Sequence, residues 1–334
     1  MNANEESMAT ERTSKSDHQR VVIALDLGGT KLASCLFVGD SQPQQRCVTP
    51  LEQREGRAVG ELITGEVCRL REAAVQLGAT VEAVGISVPG IADAKSGRVW
   101  APNVPGWEDY PLQAEVQAAV ADANIRVVVD SDRAAYILGE AWQGAARGCR
   151  DVIFLAVGTG IGAGIITDGR VLHGAHGIAG AIGWMALDRP FQPDYKACGC
   201  FESIASGEGL AKQSRMASAH ELFVAYENDD KIATDVLVQA VEYWGMAAAN
   251  LVSLFNPEKI IFGGGVFGPA ARFLDAITVE ARRWAQPISM ERVKFEASQL
   301  GSDAGLYGAG HLALFGSQLK SPSLEGREQP STDD

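Results

Sequence analysis

The chain has 334 residues, of which 46% are hydrophobic and 21% charged, a balance typical of globular proteins and not of disordered or fibrous ones. At roughly 150 residues per domain, this length predicts two domains. The 29 Lys and Arg residues against 42 Asp and Glu give a net charge of −13, which disfavours binding to nucleic acid or to an anionic membrane surface. Any anionic ligand therefore needs a local site.

Both ends of the chain are predicted to be disordered tails. Residues 1–20 mix acids and bases without an apolar stretch, unlike a signal or transit peptide, and residues 317–334 are polar with Pro and Ser. The longest apolar runs are far shorter than the ~20 residues of a membrane-spanning helix. Six cysteines are too sparse for the disulfide framework of a small secreted domain. We therefore expect a reduced, cytoplasmic protein with no membrane segment.

Predicted strands and helices alternate in the first half of the chain. Strands are predicted at Val21–Leu25, 32–40, 81–90 and 125–132, and the apolar face of a helix runs from Ile63 to Leu77. A glycine turn separates the first two strands, and a loop rich in Pro and Gly follows the third. The last of these strands ends in aspartates, where we expect the boundary between two domains.

The second half repeats the opening order of strand, small-residue turn and strand at Asp151–Gly174. A long helix from about Asp235 is predicted to end at Asn256, because Pro257 cannot continue it. Another apolar strand follows and runs into three glycines. The alternation predicts an α/β protein in two lobes, at residues 21–130 and 131–300.

The first glycine turn has the residues of a phosphate-binding loop. Gly28 and Gly29 let backbone N–H groups approach an anion, while Thr30 and Lys31 add a hydroxyl group and a positive charge. The spacing matches neither a P-loop nor the GxGxxG of a dinucleotide fold. A Gly-Gly pair between strands is also a common hairpin turn, so this segment alone leaves both interpretations open.

Two further glycine turns favour nucleotide binding. The second follows an apolar strand, as the first does, and the pair predicts two lobes that hold a polyphosphate from both sides. In the third, small residues leave room for a base and ribose. The residues concerned are Gly158, Thr159 and Gly160 in the second turn, and Gly263, Gly264 and Gly265 in the third.

Seven segments, in order from about Val21 to Phe315, together resemble the ROK family of bacterial sugar kinases and repressors. They are DLGGTK, APNVPGW, the strand-end Asp132 with LGEAWQGAARG, GTGIGAGI, GCFESIASG, FNPEKIIFGGGV and LGSDAGLYGAG. The resemblance implies a two-lobed, ribonuclease H-like α/β fold of the actin/hexokinase superfamily, with an ATP cleft between the lobes. It also implies that a C-terminal helix at 301–316 returns to the N-terminal lobe, and that the protein is an ATP-dependent carbohydrate kinase.

The resemblance also implies roles for single residues. Asp132 matches the family's catalytic base, although an aspartate at a strand end also commonly caps the next helix, here near Ala134. Asp26 would hold hydrated Mg²⁺, or would only stabilise its turn. Ser131 stands where the family has a sugar-contacting asparagine.

Two more residues match sugar ligands of the family. Asn103 and Glu202 are expected to contact the hydroxyl groups of the sugar. Alternatively, Asn103 only forms a turn, and Glu202 is a solvated acid at the start of a helix. Trp107 is either a core residue or a wall that stacks on the sugar. A homodimer is expected from the family only. The repressors carry a DNA-binding domain ahead of the kinase core, and the 20 polar residues here do not predict one.

The sequence departs from the family at two motifs. Where the family usually has E-x-G-H, this chain has Ala181 in place of the glutamate and Trp184 in place of the histidine. The family's zinc-binding cysteine stretch is shortened here to Cys198 and Cys200. A structural zinc needs four ligands, so the sequence argues against zinc, with packing around Trp184 as the replacement support for this loop. His173 and His176 lie upstream, with nothing to show that they converge on the cysteines.

The lost carboxylate also bears on the acceptor. Without it, glucose is expected to bind less well, which favours a modified sugar or a cyclitol. Trp184 would then stack on the acceptor or narrow the pocket. The rival interpretation is a non-catalytic sensor of sugar or nucleotide that has kept the fold. The retained Asp132 favours a working kinase.

Overall fold

A computed structural model describes residues 20–39, 42–122 and 124–319 of the chain. Of the predicted tails at 1–20 and 317–334, residues 1–19 and 320–334 lie outside the described residues, whereas Arg20 is described and pairs with Glu82 at 2.9 Å. Among the helices of the described ranges, none is both long and apolar enough to cross a membrane.

The N-terminal lobe is built on a five-stranded sheet. Its elements in chain order are β1 (Val21–Leu27), β2 (Lys31–Val38), β3 (Gln44–Pro50), α1 (Arg57–Gln76), β4 (Val81–Val88), β5 (Ile91–Ala92), β6 (Val99–Trp100), α2 (Leu112–Val120) and β7 (Arg126–Ser131). The strand order is β3-β2-β1-β4-β7, and β5 pairs with β6 in a separate ribbon.

The C-terminal lobe follows α3 (Asp132–Gln143) and carries a second sheet. The last helix, α11 (Ala304–Phe315), packs on β1 and β4 of the first sheet. The elements of the C-terminal lobe before it are β8 (Val152–Val157), β9 (Ile161–Thr167), β10 (Arg170–Val171), α4 (Tyr195–Cys198), α5 (Cys200–Ala205), α6 (Gly207–Ser214), α7 (Ala219–Glu227), α8 (Lys231–Phe255), β11 (Lys259–Gly263), α9 (Leu274–Trp284), α10 (Pro287–Arg292) and β12 (Lys294–Ala297). The order is β10-β9-β8-β11-β12.

The two sheets share one topology, as the repeated sequence pattern predicts. In each, the first three strands form an antiparallel meander and two later strands add in parallel on the other side of the first. The glycine turn lies between the first and second strands of each sheet. The two turns therefore occupy equivalent positions in the two lobes.

Helices α3 and α11 form a layer between the two sheets. Along β1, Ile23 and Leu25 pack towards α1 and α2, whereas Val22 and Ala24 pack towards α11, the alternation that a strand buried on both faces requires. Helix α3 packs on β8 and β9 of the second sheet. The other face of that sheet is covered by α5 and α8.

Glycines bring the backbones of this layer together. A Cβ atom at Gly308 of α11 would collide with the Ala135 carbonyl of α3, and one at Gly139 of α3 would collide with the Ala304 carbonyl of α11. A larger residue at either position would force the helices apart. The contact thus depends on two positions with no side chain.

The structure corrects the predicted start of the long helix. Helix α8 begins at Lys231, four residues before the predicted Asp235, because the Asp230 carboxylate caps it by accepting a hydrogen bond from the Ala233 N–H, 2.8 Å away. The large apolar residue of the first turn, Ile232, is exposed and lies off the buried face, so hydrophobic spacing missed this turn. The predicted end at Asn256 is confirmed, with this residue in the left-handed conformation at φ 46°.

Residues 317–319, assigned from composition to the C-terminal tail, are ordered against the second sheet. The Leu319 N–H donates to the Gly169 carbonyl at 3.0 Å, and Gln318 bridges to Arg170 of β10. The Leu319 side chain packs against the apolar cluster beneath α3, which explains why this part of the polar segment is held in place.

A buried carboxylate fixes the end of α3. Glu140 is fully buried and accepts hydrogen bonds from the Ala145 N–H at 2.7 Å, the Leu300 N–H at 3.1 Å and the Ser298 hydroxyl group. We expect Glu140→Gln to lower the free energy of unfolding by about 2–5 kcal/mol, because at least two buried donors lose their acceptor. Urea unfolding measures this, with the exposed Glu242→Gln as control. Equal stability of the two variants would contradict the assignment.

Candidate active site

The predicted glycine turns border two adjoining cavities, the larger between the lobes and the smaller lined by the C-terminal lobe. A cavity of about 640 Å³ is lined by Asp26, Gly28 and Lys31 from the N-terminal lobe and by Gly263–Gly265 from the C-terminal lobe. A neighbouring cavity of about 420 Å³ is lined by Gly158 and Thr159 and shares Gly265 with the first. The structure thus brings three distant glycine segments to one cleft.

The first two turns are both tight hairpins. The Gly28 N–H donates to the Lys31 carbonyl at 2.9 Å, and the Gly158 N–H donates to the Gly160 carbonyl at 2.9 Å. The backbone of both turns is therefore that of a hairpin. Both hairpins also border the cavities, so the hairpin conformation is compatible with phosphate binding. Thr30 is exposed at the tip of the first turn.

The third glycine run needs its small residues for close packing. A Cβ atom at Gly263 would strike the Phe154 ring, and one at Gly264, where φ is +90°, would strike the Val157 backbone. These glycines let β11 and the following turn approach β8 closely. The second and third turns are held side by side as a result.

Asp26 lies at the end of β1, beside the first turn. Its Oδ1 accepts a hydrogen bond from the buried Ser87 hydroxyl group on the adjacent strand, 2.7 Å away. A Cβ atom at Gly305, in the first turn of α11, would collide with the same carboxylate. Burial raises the pKa of Asp26 to about 6, against the opposing effects of Ser87 and Lys31.

Asp132 is the first residue of α3, directly after β7. The structure shows that it does not cap the helix, because the Ser131 side chain accepts the hydrogen bond from the Ala134 N–H at 3.3 Å. Burial raises the pKa of Asp132 to about 6, and the charge of Asp26 adds to the rise while Arg133 opposes it. The two carboxylates are thus close enough to influence each other.

The predicted sugar ligands lie beside the glycine turns. Asn103 is exposed, and its Cβ lies 3.8 Å from where a Cβ at Gly29 would be. The Glu202 Oε2 accepts a hydrogen bond from the Ile161 N–H at 2.6 Å and fills the space left by Gly160. Glu202 therefore supports the second turn, which sequence reasoning missed, and burial raises the pKa of its carboxyl group.

Trp107 belongs to the core. It is 1% exposed, stacks on Tyr110 with ring centroids 4.4 Å apart, and donates from Nε1 to the Gly56 carbonyl at 2.9 Å. The alternative that Trp107 forms a wall for the sugar is wrong, because the ring is enclosed beneath the Asn103 loop.

The altered segment does not pack as expected. Trp184 is 57% exposed, so the expectation that it replaces a metal as the packed support of the loop is wrong. Its backbone lies against Gly199, between Cys198 and Cys200. Within the described ranges, no three His, Cys, Asp or Glu side chains are placed to hold a metal ion together. The expectation that the protein holds no structural zinc ion stays a prediction.

The upstream histidines have other environments. His173 Nε2 is hydrogen-bonded to Asp130 Oδ2 at 2.8 Å, and this contact raises the pKa of His173. His176 is exposed. The Ser317 hydroxyl group also donates to Asp130, at 3.2 Å. The Asp130 carboxylate is therefore hydrogen-bonded to two other side chains of the protein.

Sequence reasoning missed three residues of the cleft. Ser87 is the only hydroxyl in the apolar run of β4, a signal that the sequence does contain. Arg46 lines the larger cavity and pairs with Asp303 at 2.6 Å, and Tyr136 of α3 lines the same cavity. Arg46 and Tyr136 lie in segments without a motif, so only the packing of the lobes brings them there.

The fold and the cleft define a two-lobed α/β protein of the actin/hexokinase type. The ROK family model matches residues 22–315, which is most of the chain. The protein belongs to the ROK family.

Three known proteins show the extent of the similarity. A glucokinase of Halalkalibacterium halodurans is 29% identical over 319 residues, covering 88% of this chain and 94% of the relative. The crystal structure of a ROK hexokinase from Thermus thermophilus is 31% identical, with a TM-score of 0.74 over 88% of this chain and 98% of that one. A ROK glucokinase from Streptomyces griseus, solved with glucose and AMPPNP, is 30% identical with a TM-score of 0.72 over 88% and 99%. These similarities confirm the predicted fold and family.

The Ser87 contact to Asp26 is open to a direct test. We expect Ser87→Ala to raise the pKa of Asp26 further above 6, because the hydroxyl group stabilises the ionised carboxylate. Titration of the ¹³C-labelled carboxyl group by NMR measures the shift. Ser34→Ala is the matched control, since that buried serine of the same sheet donates to Glu66. An unchanged Asp26 titration would show that the hydrogen bond has no electrostatic effect.

Proposed function

We propose that this protein transfers the γ-phosphoryl group of ATP to a hydroxyl group of a sugar or sugar-like acceptor. The observation that carries the proposal is a pair of carboxyl groups with raised pKa, Asp26 in the wall of the larger cavity and Asp132 close enough for the charge of Asp26 to raise its pKa. The names of the relatives support it, because they are a glucokinase, a hexokinase and a glucokinase solved with AMPPNP.

Asp132 is the proposed general base. The acceptor oxygen attacks the γ-phosphorus and forms the new P–O bond, the bond to the β-phosphate oxygen breaks, and ADP leaves with that electron pair. The hydroxyl proton goes to the Asp132 carboxylate. A pKa of about 6 suits this role, because the group is ionised at neutral pH yet more basic than an ordinary aspartate.

The donor side is assigned to the glycine turns. The small residues of all three turns allow backbone N–H groups to approach phosphate oxygens, and Lys31 supplies a positive charge beside the larger cavity. Thr159 and Gly265 belong to the smaller cavity, which is the proposed place of the nucleoside. Phosphoryl transfer depends mainly on this positioning and on charge stabilisation.

Asp26 fits the role of magnesium ligand. Mg²⁺ prefers oxygen ligands and is usually held by one or two carboxylates together with substrate phosphates. The Asp26 carboxylate is oriented by Ser87 and lies in the cavity wall next to Gly28. When bound, the ion supplies charge neutralisation of the phosphates.

The acceptor is assigned to the side of the cleft near Asn103, Ser131 and Glu202. Asn103 lies at the first turn and Glu202 at the second, so an acceptor between them would have its hydroxyl groups near both lobes. Ser131 already caps α3, and a contact to the acceptor would use its remaining hydrogen-bonding capacity. The absence of a carboxylate at Ala181 favours a modified sugar or cyclitol over glucose.

The decisive variant is Asp132→Asn. The amide keeps the shape but cannot accept the proton, so we expect turnover to fall by about 10²–10⁴-fold while nucleotide affinity is retained. ADP release from Mg-ATP with a panel of sugars and cyclitols measures turnover, and a fluorescent nucleotide measures binding. Asp235→Asn, an exposed change on α8, is the control. Nucleotide binding without ADP release for any acceptor would favour the non-catalytic sensor instead.

The raised pKa predicts a specific pH profile. Only ionised Asp132 accepts a proton, so kcat/KM is expected to fall about tenfold per pH unit below about 6 and to level off above about 7. Steady-state rates between pH 5 and 8 test this, with recovery at pH 7.5 as the check against unfolding. A profile that stays flat down to pH 5 would contradict the assigned base.

A further inference from the structure

Arg133, the residue after the proposed base, spans the two lobes. Its side chain crosses β9 at Gly162, where a Cβ atom would lie only 3.1 Å from the Arg133 Cδ. Nη2 then donates to the Gly90 carbonyl of the N-terminal lobe at 3.1 Å and to the Gly177 carbonyl of the C-terminal lobe at 3.4 Å. The guanidinium group is thus held in place between the lobes.

The same side chain lies next to the altered segment. A Cβ atom at Gly162 would also lie 3.9 Å from the Gly180 carbonyl oxygen. Ala181 is the next residue in the chain after Gly180. Ala181 stands where the sequence comparison with the family expects a glutamate that contacts the sugar. Arg133 therefore lies near the position that has lost a carboxylate, on the side of the cleft to which the proposed function assigns the acceptor.

The charge of Arg133 acts on Asp132, whose pKa it lowers, without a salt bridge between the two residues. Within the part of the chain that the structure describes, this arginine forms no ion pair within 4.0 Å, and its buried Nε has no hydrogen-bond partner. Arginine keeps its charge at every ordinary pH and is a donor only. A guanidinium group with an unsatisfied donor and no paired carboxylate is unfavourable unless a nearby anion compensates its charge.

We propose that the acceptor carries a carboxylate group and that Arg133 binds it, so that the natural substrate is a sugar acid. The inference rests on the proposed kinase function and names its substrate class. A hydroxyl or acetamido oxygen would satisfy the hydrogen bond, but only an anion also balances the charge. A glutamate at 181 would compete for the same guanidinium group, which accounts for an alanine there.

Neighbouring carboxylates do not cancel this preference. Asp130 is already bonded to His173, Ser317 and the Ser131 N–H, and Glu202 is bonded to the Ile161 N–H. Asp132 adjoins Arg133 and interacts with its charge, and the Asp132 carboxylate is neutralised when it takes up the acceptor proton. An anionic group at Arg133 therefore becomes better compensated as the reaction proceeds.

The test compares matched acceptors in the ADP-release assay. We expect D-glucuronate or D-gluconate to show at least tenfold higher kcat/KM than D-glucose and N-acetyl-D-glucosamine. In Arg133→Gln, KM for the acid should rise about 30-fold or more, since one partner of a close charge pair is lost, with a tenfold smaller effect for glucose. The exposed Arg147→Gln removes the same charge elsewhere and should leave the preference unchanged.

A second variant keeps the proposal testable if Arg133→Gln does not fold. Ala181→Glu places a carboxylate beside Arg133 and should lower kcat/KM for the acid while raising it for glucose. A wild-type protein that prefers a neutral sugar, or an Arg133 variant equally impaired towards all acceptors, would overturn the sugar-acid proposal and leave the kinase intact. Failure of every acceptor to release ADP would overturn the kinase function itself.

Discussion

The close contact between α3 and α11 is the constraint on which the cleft depends. These helices approach through Gly139 and Gly308, where any side chain would collide with the backbone of the other helix. Asp132 is the first residue of α3, and Gly305 at the start of α11 abuts the carboxylate of Asp26. A change in the distance between the helices would therefore move both carboxylates of the site relative to each other.

Glu140 connects this helical layer to the wall of the larger cavity. Its carboxylate is fully buried on α3 and accepts from Ser298 and Leu300, in the segment that leads into α11. The same segment lines the larger cavity and includes Asp303, which pairs with Arg46 of β3. Because a buried charge keeps its stability only with its full set of donors, this segment has little freedom to move. The cavity wall is thus fixed from both lobes.

The parts of the site that the sequence predicts are those determined by local structure. Asp26, Asp132 and the glycine turns each follow an apolar strand, and strand ends in α/β folds meet at one edge. Ser131 as the helix cap was not distinguished from Asp132, because both residue types cap helices well. The orientation of Arg133 and the burial of Glu140 arise from contacts between distant segments. No periodicity within a single segment carries that information.

The charges of Asp26, Asp132 and Arg133 act on one another, and this coupling links the proposed nucleotide site to the proposed acceptor site. The charge of Asp26 raises the pKa of Asp132, while Arg133 lowers it. A cation beside Asp26 would cancel the first effect and leave the second, so Asp132 would become ionised at lower pH when the donor is bound. An anion on Arg133 would act in the opposite direction and strengthen the base. The occupied cleft therefore sets the basicity of Asp132 from both sides.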